Sequence, residues 1–302
     1  MTSESSLRAD IVEVGRRMYA RGYTASNDGN ISVRLGSDRL LMTPKSVCKG
    51  FMTPDMMCIT DLDGRKLQGD RDPSSEMLMH LEVYRQRPDV QAVVHAHPPT
   101  ATGFAVAGIP LDRAVLAEVL TTLGSIPIAE YATPSTKELP EAVRKYIKAH
   151  DGMLLANHGA LTVGGDLYGA YFKMETIEHF AKISLVARLL GRENLLSREE
   201  VMRLQDLRGS YGIKAPAPIC AETEEDASCQ VVQAPHGAGS RLVPDILRRG
   251  AAADPPPLAQ NTRASFGDVA PKPSAKADAE GEIRLTYREL SALIEDAIRS
   301  LR

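Results

Sequence analysis

The sequence predicts an α/β domain with a mixed or antiparallel sheet, followed by a disordered linker and a C-terminal amphipathic helix. Over residues 1–211, short apolar segments alternate with helical patterns, but without the regular rhythm of parallel βαβ units. After residue 211 the composition changes, and large apolar residues are nearly absent between Gly250 and Gly281. These two observations indicate one folded domain joined to a tail.

The elements of the domain follow from apolar spacing and from turn residues. An N-terminal helix is predicted from Leu7, Ile11, Val14 and Met18, which recur at helical spacing. Two strands and a turn are predicted for RLLMTPKS and MMCITDLDG. A helix capped by Ser74 or Ser75 and closed near Pro88 is predicted for SSEMLMHLEVYRQRPDV.

The second half of the domain continues this alternation. A strand is predicted for QAVVHAH, and a strand, a turn and a second strand for GMLLANHGALTVG. The long helical pattern that begins at Asp166 should end at Gly191, because glycine commonly terminates helices.

The tail divides into a linker, 212–281, and a terminal segment, 282–302. Between Gly250 and Gly281, 14 of 32 residues are alanine or proline, so this stretch cannot bury enough apolar surface to offset the entropy of ordering it. A short helix over 242–249 is an alternative for part of the linker. In the terminal segment Tyr287, Leu290 and Ile294 return to helical spacing, which predicts an amphipathic helix.

Composition argues against several classes of protein. The net charge of −3 argues against a protein that binds nucleic acid or an anionic membrane. No apolar run approaches the ~20 residues that a membrane span needs, and the N-terminus lacks the apolar core of a signal peptide. The four cysteines form no CxxC pair, which is typical of reduced thiols in the cytoplasm. We expect a cytoplasmic protein.

Two histidines flank one alanine in AVVHAHPPT. Side chains two residues apart on a strand share a face, so His95 and His97 should project side by side where the prolines end the strand. The segment LLANHGAL adds His158 at another strand end. Three neutral imidazoles and one open position form a catalytic zinc arrangement, and imidazole also suits other divalent metals. The alternative is that His95 and His97 are ordinary polar residues at a strand end.

Glu76 and three loops rich in small polar residues are further candidates for the site. Glu76 stands in the first turn of a predicted helix. It is either a carboxylate that caps the helix, or a functional group that serves as a fourth metal ligand or a general base. The same helix start, with the Ser74 and Ser75 hydroxyls, would also bind an anion. The loops SNDGNIS and TPKS are either turns or further donors, and Lys45 is either a surface lysine or a phosphate partner.

Five segments occur in an order that resembles a known family. They are GNISVR, LLMTPKS, DPSSEMLMHLEVYRQRPDVQAVVHAHPP, IPIAEYATPSTKELPEAV and LLANHGALTVG. Together they are similar to the class II aldolase/adducin family, and within it they most resemble L-fuculose-phosphate aldolase-like enzymes. The resemblance covers about residues 7–211, and it favours the metal-ligand interpretation of His95.

The resemblance implies a three-layer α/β/α domain over 1–211, usually assembled as a C4 homotetramer with sites near subunit interfaces. It implies one zinc ion per subunit, with Mn²⁺ or Co²⁺ as alternatives, held by His95, His97, His158 and Glu76. Glu76 is also the implied catalytic acid/base. The implied phosphate pocket consists of Asn30, Thr43, Lys45, Ser46, Ser74 and Ser75.

Three further positions bear on the resemblance. Tyr211 is expected to match a C-terminal tyrosine that acts as a proton donor. The family commonly has glycine after the TP dipeptide, where this chain has Lys45, and Leu116 falls where the aldolase has a tyrosine. The last difference concerns the stereochemical details of substrate binding.

The implied reaction is zinc-dependent retro-aldol cleavage of a ketose 1-phosphate, above all L-fuculose 1-phosphate, to dihydroxyacetone phosphate and an aldehyde such as lactaldehyde. Alternatives within the family are an aldolase for a different 5-deoxy-pentose or hexose phosphate, a ribulose-phosphate 4-epimerase, a methylthioribulose-phosphate dehydratase and a decarboxylase. A non-enzymatic, adducin-like assembly module is a further alternative, against which the intact histidines and Glu76 argue.

The tail carries its own expectation. An Ala/Pro-rich linker followed by an amphipathic helix over 282–302 resembles the encapsulation peptides that recruit enzymes to bacterial microcompartments. Shell or cargo proteins are then expected partners, and the enzyme would lie inside such a compartment. The alternative is a helix that docks back on its own tetramer.

Overall fold

A mixed sheet forms the centre of the domain. The structure, a computed structural model, describes residues 3–213 and 215–217. Within them the strands are β1 Asn30–Leu35, β2 Arg39–Met42, β3 Cys58–Asp61, β4 Lys66–Gln68, β5 Ala92–Ala96, β6 Ile128–Ala129, β7 Gly152–Leu155 and β8 Gly159–Gly164. Their spatial order is β4-β3-β2-β1-β5-β8-β7-β6, and only β6 and β7 run parallel.

The helices pack on both faces of this sheet. They are α1 Glu4–Ala20, α2 Met77–Gln86, α3 Pro99–Ala107, α4 Ala117–Thr122, α5 Glu138–Ile147, α6 Leu167–Leu189 and α7 Arg198–Ser210. Ser3 and Asp166 cap α1 and α6, since each side chain accepts a main-chain N–H three residues later. Gly191, with φ of 80°, follows the end of α6 as the sequence predicts.

Alternation along β5 separates the two helical layers. Val94 belongs to the apolar core beneath α1, α3, α4 and α6, whereas Val93 belongs to the core beneath α2 and α5. His95 has the same parity as Val93 and therefore projects toward the face that carries α2. The predicted three-layer α/β/α architecture is confirmed, and it places His95 on the same side of the sheet as Glu76.

The predicted capping of α2 is wrong. Glu76, not Ser74 or Ser75, occupies the N-cap position, and its side chain makes no capping hydrogen bond. Pro73 and Ser74 remain extended, because Pro73 forms an antiparallel bridge with Pro44 and the Ser74 N–H donates to the carbonyl of Thr43, and Ser75 and Glu76 then form a turn. This pairing delays the helix start and leaves the Glu76 carboxylate available for other contacts.

The first residues of the predicted linker pack against the domain. The Arg208 guanidinium donates to the carbonyl of Ala215 at 2.7 Å, and the N–H of Ala217 donates to the carbonyl of Ala149 at 2.8 Å. The remainder of the linker, including 242–249, and the predicted helix over 282–302 lie outside the described residues. Among the described residues, no helix combines the length and the hydropathy of a transmembrane segment.

Candidate metal centre

Three histidines meet where β5 ends and β8 begins, in the middle of the sheet. His95 lies in β5, and its Nδ1–H donates to the carbonyl of Ala160 on β8 at 2.9 Å. His97 follows the last residue of β5, and its main-chain N–H donates to the carbonyl of Tyr23. His158 lies in the turn between β7 and β8, which Asn157 makes with a φ of 54°. The register of β5 against β8 therefore brings the three rings together.

The ring nitrogens converge on one point, together with a carboxylate. One ligand atom from each histidine lies within 4.8 Å of the others, and the Nε2 atoms of His95 and His97 are 3.1 Å apart. Glu76 Oε2 lies 3.3 Å from Nε2 of His95. Glu76 Oε1 lies 3.1 Å from Nε2 of His158.

The tautomers show that these residues fit a divalent cation. Nδ1 of His95 faces a carbonyl oxygen, and Nδ1 of His97 faces Asp28 Oδ2 at 3.3 Å. In both His95 and His97 the ring proton is therefore on Nδ1. The Nε2 lone pairs of the two neutral rings then face each other. Lone pairs at 3.1 Å, beside a carboxylate, repel one another unless a cation lies between them. Imidazole nitrogen and carboxylate oxygen are the ligands that zinc prefers.

Electrostatics favour the protonation states that a metal requires. Burial lowers the pKa of His95 well below the usual value for histidine, and burial and the neighbouring His158 lower the pKa of His97. Burial alone would raise the pKa of the Glu76 carboxyl, but the positive charge that His95 and His158 carry when protonated, together with the Asn30 amide, outweighs burial and lowers this pKa below its usual range. Neutral imidazoles and an ionised carboxylate are the forms that bind a divalent cation.

Asn30, a predicted phosphate ligand, instead bridges Glu76 and a buried histidine that sequence reasoning missed. Its Nδ2 donates to Glu76 Oε2 at 2.7 Å, and its Oδ1 accepts from Nε2 of His80. His80 is fully buried and contacts the Ser32 hydroxyl, which lies beside the Tyr84 hydroxyl. A signal existed in the sequence: Asn30 and Ser32 are polar residues at alternate positions of a strand, and His80 and Tyr84 are four residues apart on a helix.

The other predicted phosphate ligands lie on two adjacent loops. The Pro44–Pro73 bridge joins the loops, and the Lys45 N–H donates to the carbonyl of Asp72. The Thr43 hydroxyl is buried and bonded to the main chain of Ile31. Lys45, Ser46 and Ser75 are exposed, and Ser74 is buried beside Glu76. The structure thus brings the set to one region, and binding of phosphate by it stays a prediction.

Tyr211 does not join the histidines in the part of the chain that the structure describes. It follows the last residue of α7, it is 65% exposed, and its main-chain N–H donates to carbonyls of its own helix. Its role as a proton donor stays a prediction. Leu116, which replaces the expected tyrosine, precedes α4 and packs against the apolar core.

Two further residues that the sequence analysis did not select support this region. Lys49 is buried, and its ammonium donates to the carbonyls of Asn27 at 3.1 Å and Val47 at 2.6 Å. Burial lowers the pKa of Lys49 to about 8. The lysine thus ties together two loops, one of which presents Asp28 to His97. Gly29 marks this loop in the sequence: its φ is +71°, and a Cβ there would lie 2.8 Å from the carbonyl oxygen of His95.

Known proteins share both the sequence pattern and the fold. Residues 9–185 match the family model described as "Class II Aldolase and Adducin N-terminal domain". The 5-deoxy-D-ribulose 1-phosphate aldolase of Bacillus thuringiensis serovar kurstaki is 34% identical over 206 residues, which cover 68% of this chain and 96% of the relative. The 3-oxo-tetronate 4-phosphate decarboxylase of Pectobacterium atrosepticum is 32% identical over 190 residues, 62% of this chain and 87% of the relative.

A solved structure agrees with these relatives. The chain superposes on an L-fuculose 1-phosphate aldolase with a TM-score of 0.65 and 30% identity, covering 70% of this chain and 98% of that one. All three names include a phosphorylated sugar or sugar acid.

Proposed function

The chain belongs to the class II aldolase and adducin family, and we propose that it cleaves a deoxyketose 1-phosphate by a metal-dependent retro-aldol reaction. These relatives are named as lyases, and the chain is an enzyme of that metal-dependent class. L-fuculose 1-phosphate is the first candidate substrate, with dihydroxyacetone phosphate and lactaldehyde as products. 5-Deoxy-D-ribulose 1-phosphate is the next, because a relative named for it aligns with 68% of the chain.

One observation carries the proposal. Three imidazoles and the Glu76 carboxylate converge on one point, where His95 Nε2 lies 3.1 Å from His97 Nε2 and 3.3 Å from Glu76 Oε2, and His158 Nε2 lies 3.1 Å from Glu76 Oε1. His95, His97, His158 and Glu76 would hold the ion, for which we propose Zn²⁺, with Mn²⁺ and Co²⁺ as alternatives. When bound, the ion supplies a Lewis acid for the negative charge that develops on the substrate's oxygens.

Glu76 is the group that we assign to proton transfer. Cleavage between carbons 3 and 4 requires that the hydroxyl on carbon 4 lose a proton and that carbon 3 gain one. Asn30 already donates to Oε2, so Oε1 is the oxygen left to take up the first proton and return it to carbon 3. The same carboxylate serves both transfers, because they follow one another in a single turnover.

The phosphate group orients the substrate. Two loops lie side by side near Glu76. One carries Lys45 and Ser46, and the other, which directly precedes Glu76, carries Ser74 and Ser75. A phosphate held there would fix the distance between the ketose carbonyl and the histidines, which is an orientation effect. The exposed ammonium of Lys45 supports a dianionic partner in this region.

A second candidate function is decarboxylation of 3-oxo-tetronate 4-phosphate, which the Pectobacterium relative favours. Loss of CO₂ from that substrate and retro-aldol cleavage of a ketose 1-phosphate both leave the enediolate of dihydroxyacetone phosphate. The same charge stabilisation and the same return of a proton then complete either reaction. An epimerase and a dehydratase remain further alternatives.

The deciding experiment offers the metal-loaded protein L-fuculose 1-phosphate, 5-deoxy-D-ribulose 1-phosphate and 3-oxo-tetronate 4-phosphate in turn. Dihydroxyacetone phosphate and CO₂ are detected separately, with and without a chelator. We expect chelator-sensitive dihydroxyacetone phosphate from a ketose phosphate without CO₂. If 3-oxo-tetronate 4-phosphate releases CO₂ and neither ketose phosphate is cleaved, the protein is the decarboxylase. A metal-loaded protein that releases neither product would favour the epimerase or the dehydratase.

We also propose an assembly. A homotetramer is expected from the family, and the terminal helix over 282–302 is proposed to recruit the enzyme to a microcompartment shell. The support is the composition of the linker and the helical spacing of Tyr287, Leu290 and Ile294.

A further inference from the structure

A line of buried polar side chains connects Glu76 to the interior of the domain. Asn30 and Ser32 lie on β1, and His80 and Tyr84 lie on α2. The Ser32 hydroxyl is 2.6 Å from Nδ1 of His80 and 2.9 Å from the Tyr84 hydroxyl, which also donates to the Ser32 carbonyl at 3.0 Å. His80 has no exposed surface, and neither His80 nor Ser32 has a part in the proposed chemistry.

The hydrogen bonds in this line point in one direction, toward Glu76. An ionised carboxylate only accepts, so the Asn30 amide must present Nδ2 to Oε2 and its oxygen to His80. Nε2 of His80 must then carry a proton. Burial lowers the pKa of His80 to about 4, so the ring is neutral and its Nδ1 accepts from the Ser32 hydroxyl. Aligned donors of this kind polarise and strengthen one another.

We propose that His80 is a positioning residue for Glu76. Through Asn30 it holds Oε2 as a hydrogen-bond acceptor and directs Oε1 to the side of His158, where it lies 3.1 Å from Nε2. This inference rests on the proposed function in one respect only, namely that Glu76 transfers the proton. Without the Nε2–H of His80, the Asn30 amide is free to turn its oxygen toward Glu76, and the carboxylate would be repelled from its present orientation.

A purely structural histidine makes a different prediction, so the test compares three variants. His80→Leu removes the donor, and His80→Gln retains an amide N–H near the position of Nε2. His150→Leu is the matched control, because His150 is also buried, and its Nδ1–H donates to the carbonyl of Ser125. Ser32→Ala is a milder variant that leaves the ring in place and removes the donor to Nδ1.

The measurement uses Co²⁺ alone as the probe. The visible absorption of bound Co²⁺ reports its ligand geometry, and titration gives its affinity without any substrate. We expect His80→Leu to change the spectrum and to weaken Co²⁺ binding by about 10–100-fold, the usual range for residues behind the ligands. Ser32→Ala should act in the same direction with a smaller effect. His80→Gln and His150→Leu should keep the wild-type spectrum and affinity.

Each outcome decides the inference. A wild-type spectrum in His80→Leu overturns it, and if that variant does not fold, a wild-type spectrum in Ser32→Ala does so. The inference is also overturned if His80→Gln changes the Co²⁺ spectrum as much as His80→Leu does. The volume of the side chain would then matter, and not its N–H donor. If the spectra behave as expected but no sugar phosphate is cleaved, the positioning role stands and the proposed reaction is wrong. A wild type that binds no Co²⁺ overturns both.

Discussion

Glu76 precedes α2 by one residue, a position where most carboxylates serve the helix itself. Here the side chain contacts His95, His158 and Asn30 instead. Immediately before the helix, Ser74 pairs with the main chain of Thr43, and Ser75 and Glu76 form a turn closed by the Met77 N–H on the Ser74 carbonyl. A sequence pattern cannot separate these two roles, because both require an acidic residue at the same place.

Replacement of Glu76 by glutamine separates the two roles experimentally. Glu76→Gln keeps the shape of the side chain and removes its ability to exchange a proton. We expect kcat to fall by about 10²–10⁴-fold, while the three histidines retain the metal. The measurements are the turnover number, with the sugar phosphate that the wild type proves to cleave, and the metal content after dialysis.

The matched control is Glu138→Gln, at the start of α5, where the carboxylate accepts from the Thr133 main chain and lies outside the cluster. Normal turnover in Glu76→Gln would mean that Glu76 is not the acid/base. Loss of metal together with activity would mean that the carboxylate is chiefly a ligand.

At the scale of elements, the site depends on how closely β5 and β8 approach one another. Ala96 pairs with Ala160, and Gly159 lies directly beside the residue that follows β5. A Cβ on Gly159 would lie 2.5 Å from the carbonyl oxygen of Ala96 and 2.6 Å from Cδ2 of His97. Contacts this short do not occur in proteins, so the glycine is what allows His97 to approach His158.

Gly159→Ala is therefore expected to damage the site more than the fold. The added methyl group should displace His97 or the end of β5 at a cost of about 1–3 kcal/mol in stability, and the altered spacing should weaken metal binding. Gly165→Ala, just beyond β8, is the control, because a Cβ there meets nothing within 4 Å. Thermal unfolding and metal titration of both variants check this. Equal metal affinities would show that the approach of the two strands does not govern the site.

Periodicity predicted the elements that are long enough to show it. The apolar spacing of α1, α2 and α6 and the short apolar runs of β5, β7 and β8 are each visible within one segment of sequence. By contrast, β6 has two residues and α4 has six, which is too short for a period to be recognised.

Residues that meet across the fold were harder to predict. His80 lies fifty positions from Asn30, and Lys49 lies 22 positions from Asn27, so only the packing of the folded domain brings these pairs together. The histidines of the site were predictable for the opposite reason. His95 and His97 lie two residues apart at the end of one strand, and His158 stands at another strand end before a glycine turn.

At the scale of the whole molecule, the domain is supported by packing and hydrogen bonds, and the tail by its sequence pattern. The packed chain extends at least to Ala217, whose N–H is bound to the carbonyl of Ala149. The exposed Tyr211 lies just before this point, and its role as a proton donor stays a prediction. The function of 282–302 rests on composition and spacing alone.

Deletion of 282–302 should leave kcat and KM unchanged and should release the enzyme from microcompartment shells. The reason is that the apolar stripe of Tyr287, Leu290 and Ile294 would bind a shell or cargo helix and not the sugar phosphate. The full-length double variant Leu290→Glu with Ile294→Glu should repeat the effect, whereas Arg288→Ala, off the stripe, should not. Co-purification with shells and steady-state kinetics are measured on the same preparations. Truncated enzyme that still co-purifies would rule out recruitment by this helix, and a loss of tetramer or of turnover would show that the helix docks on its own assembly.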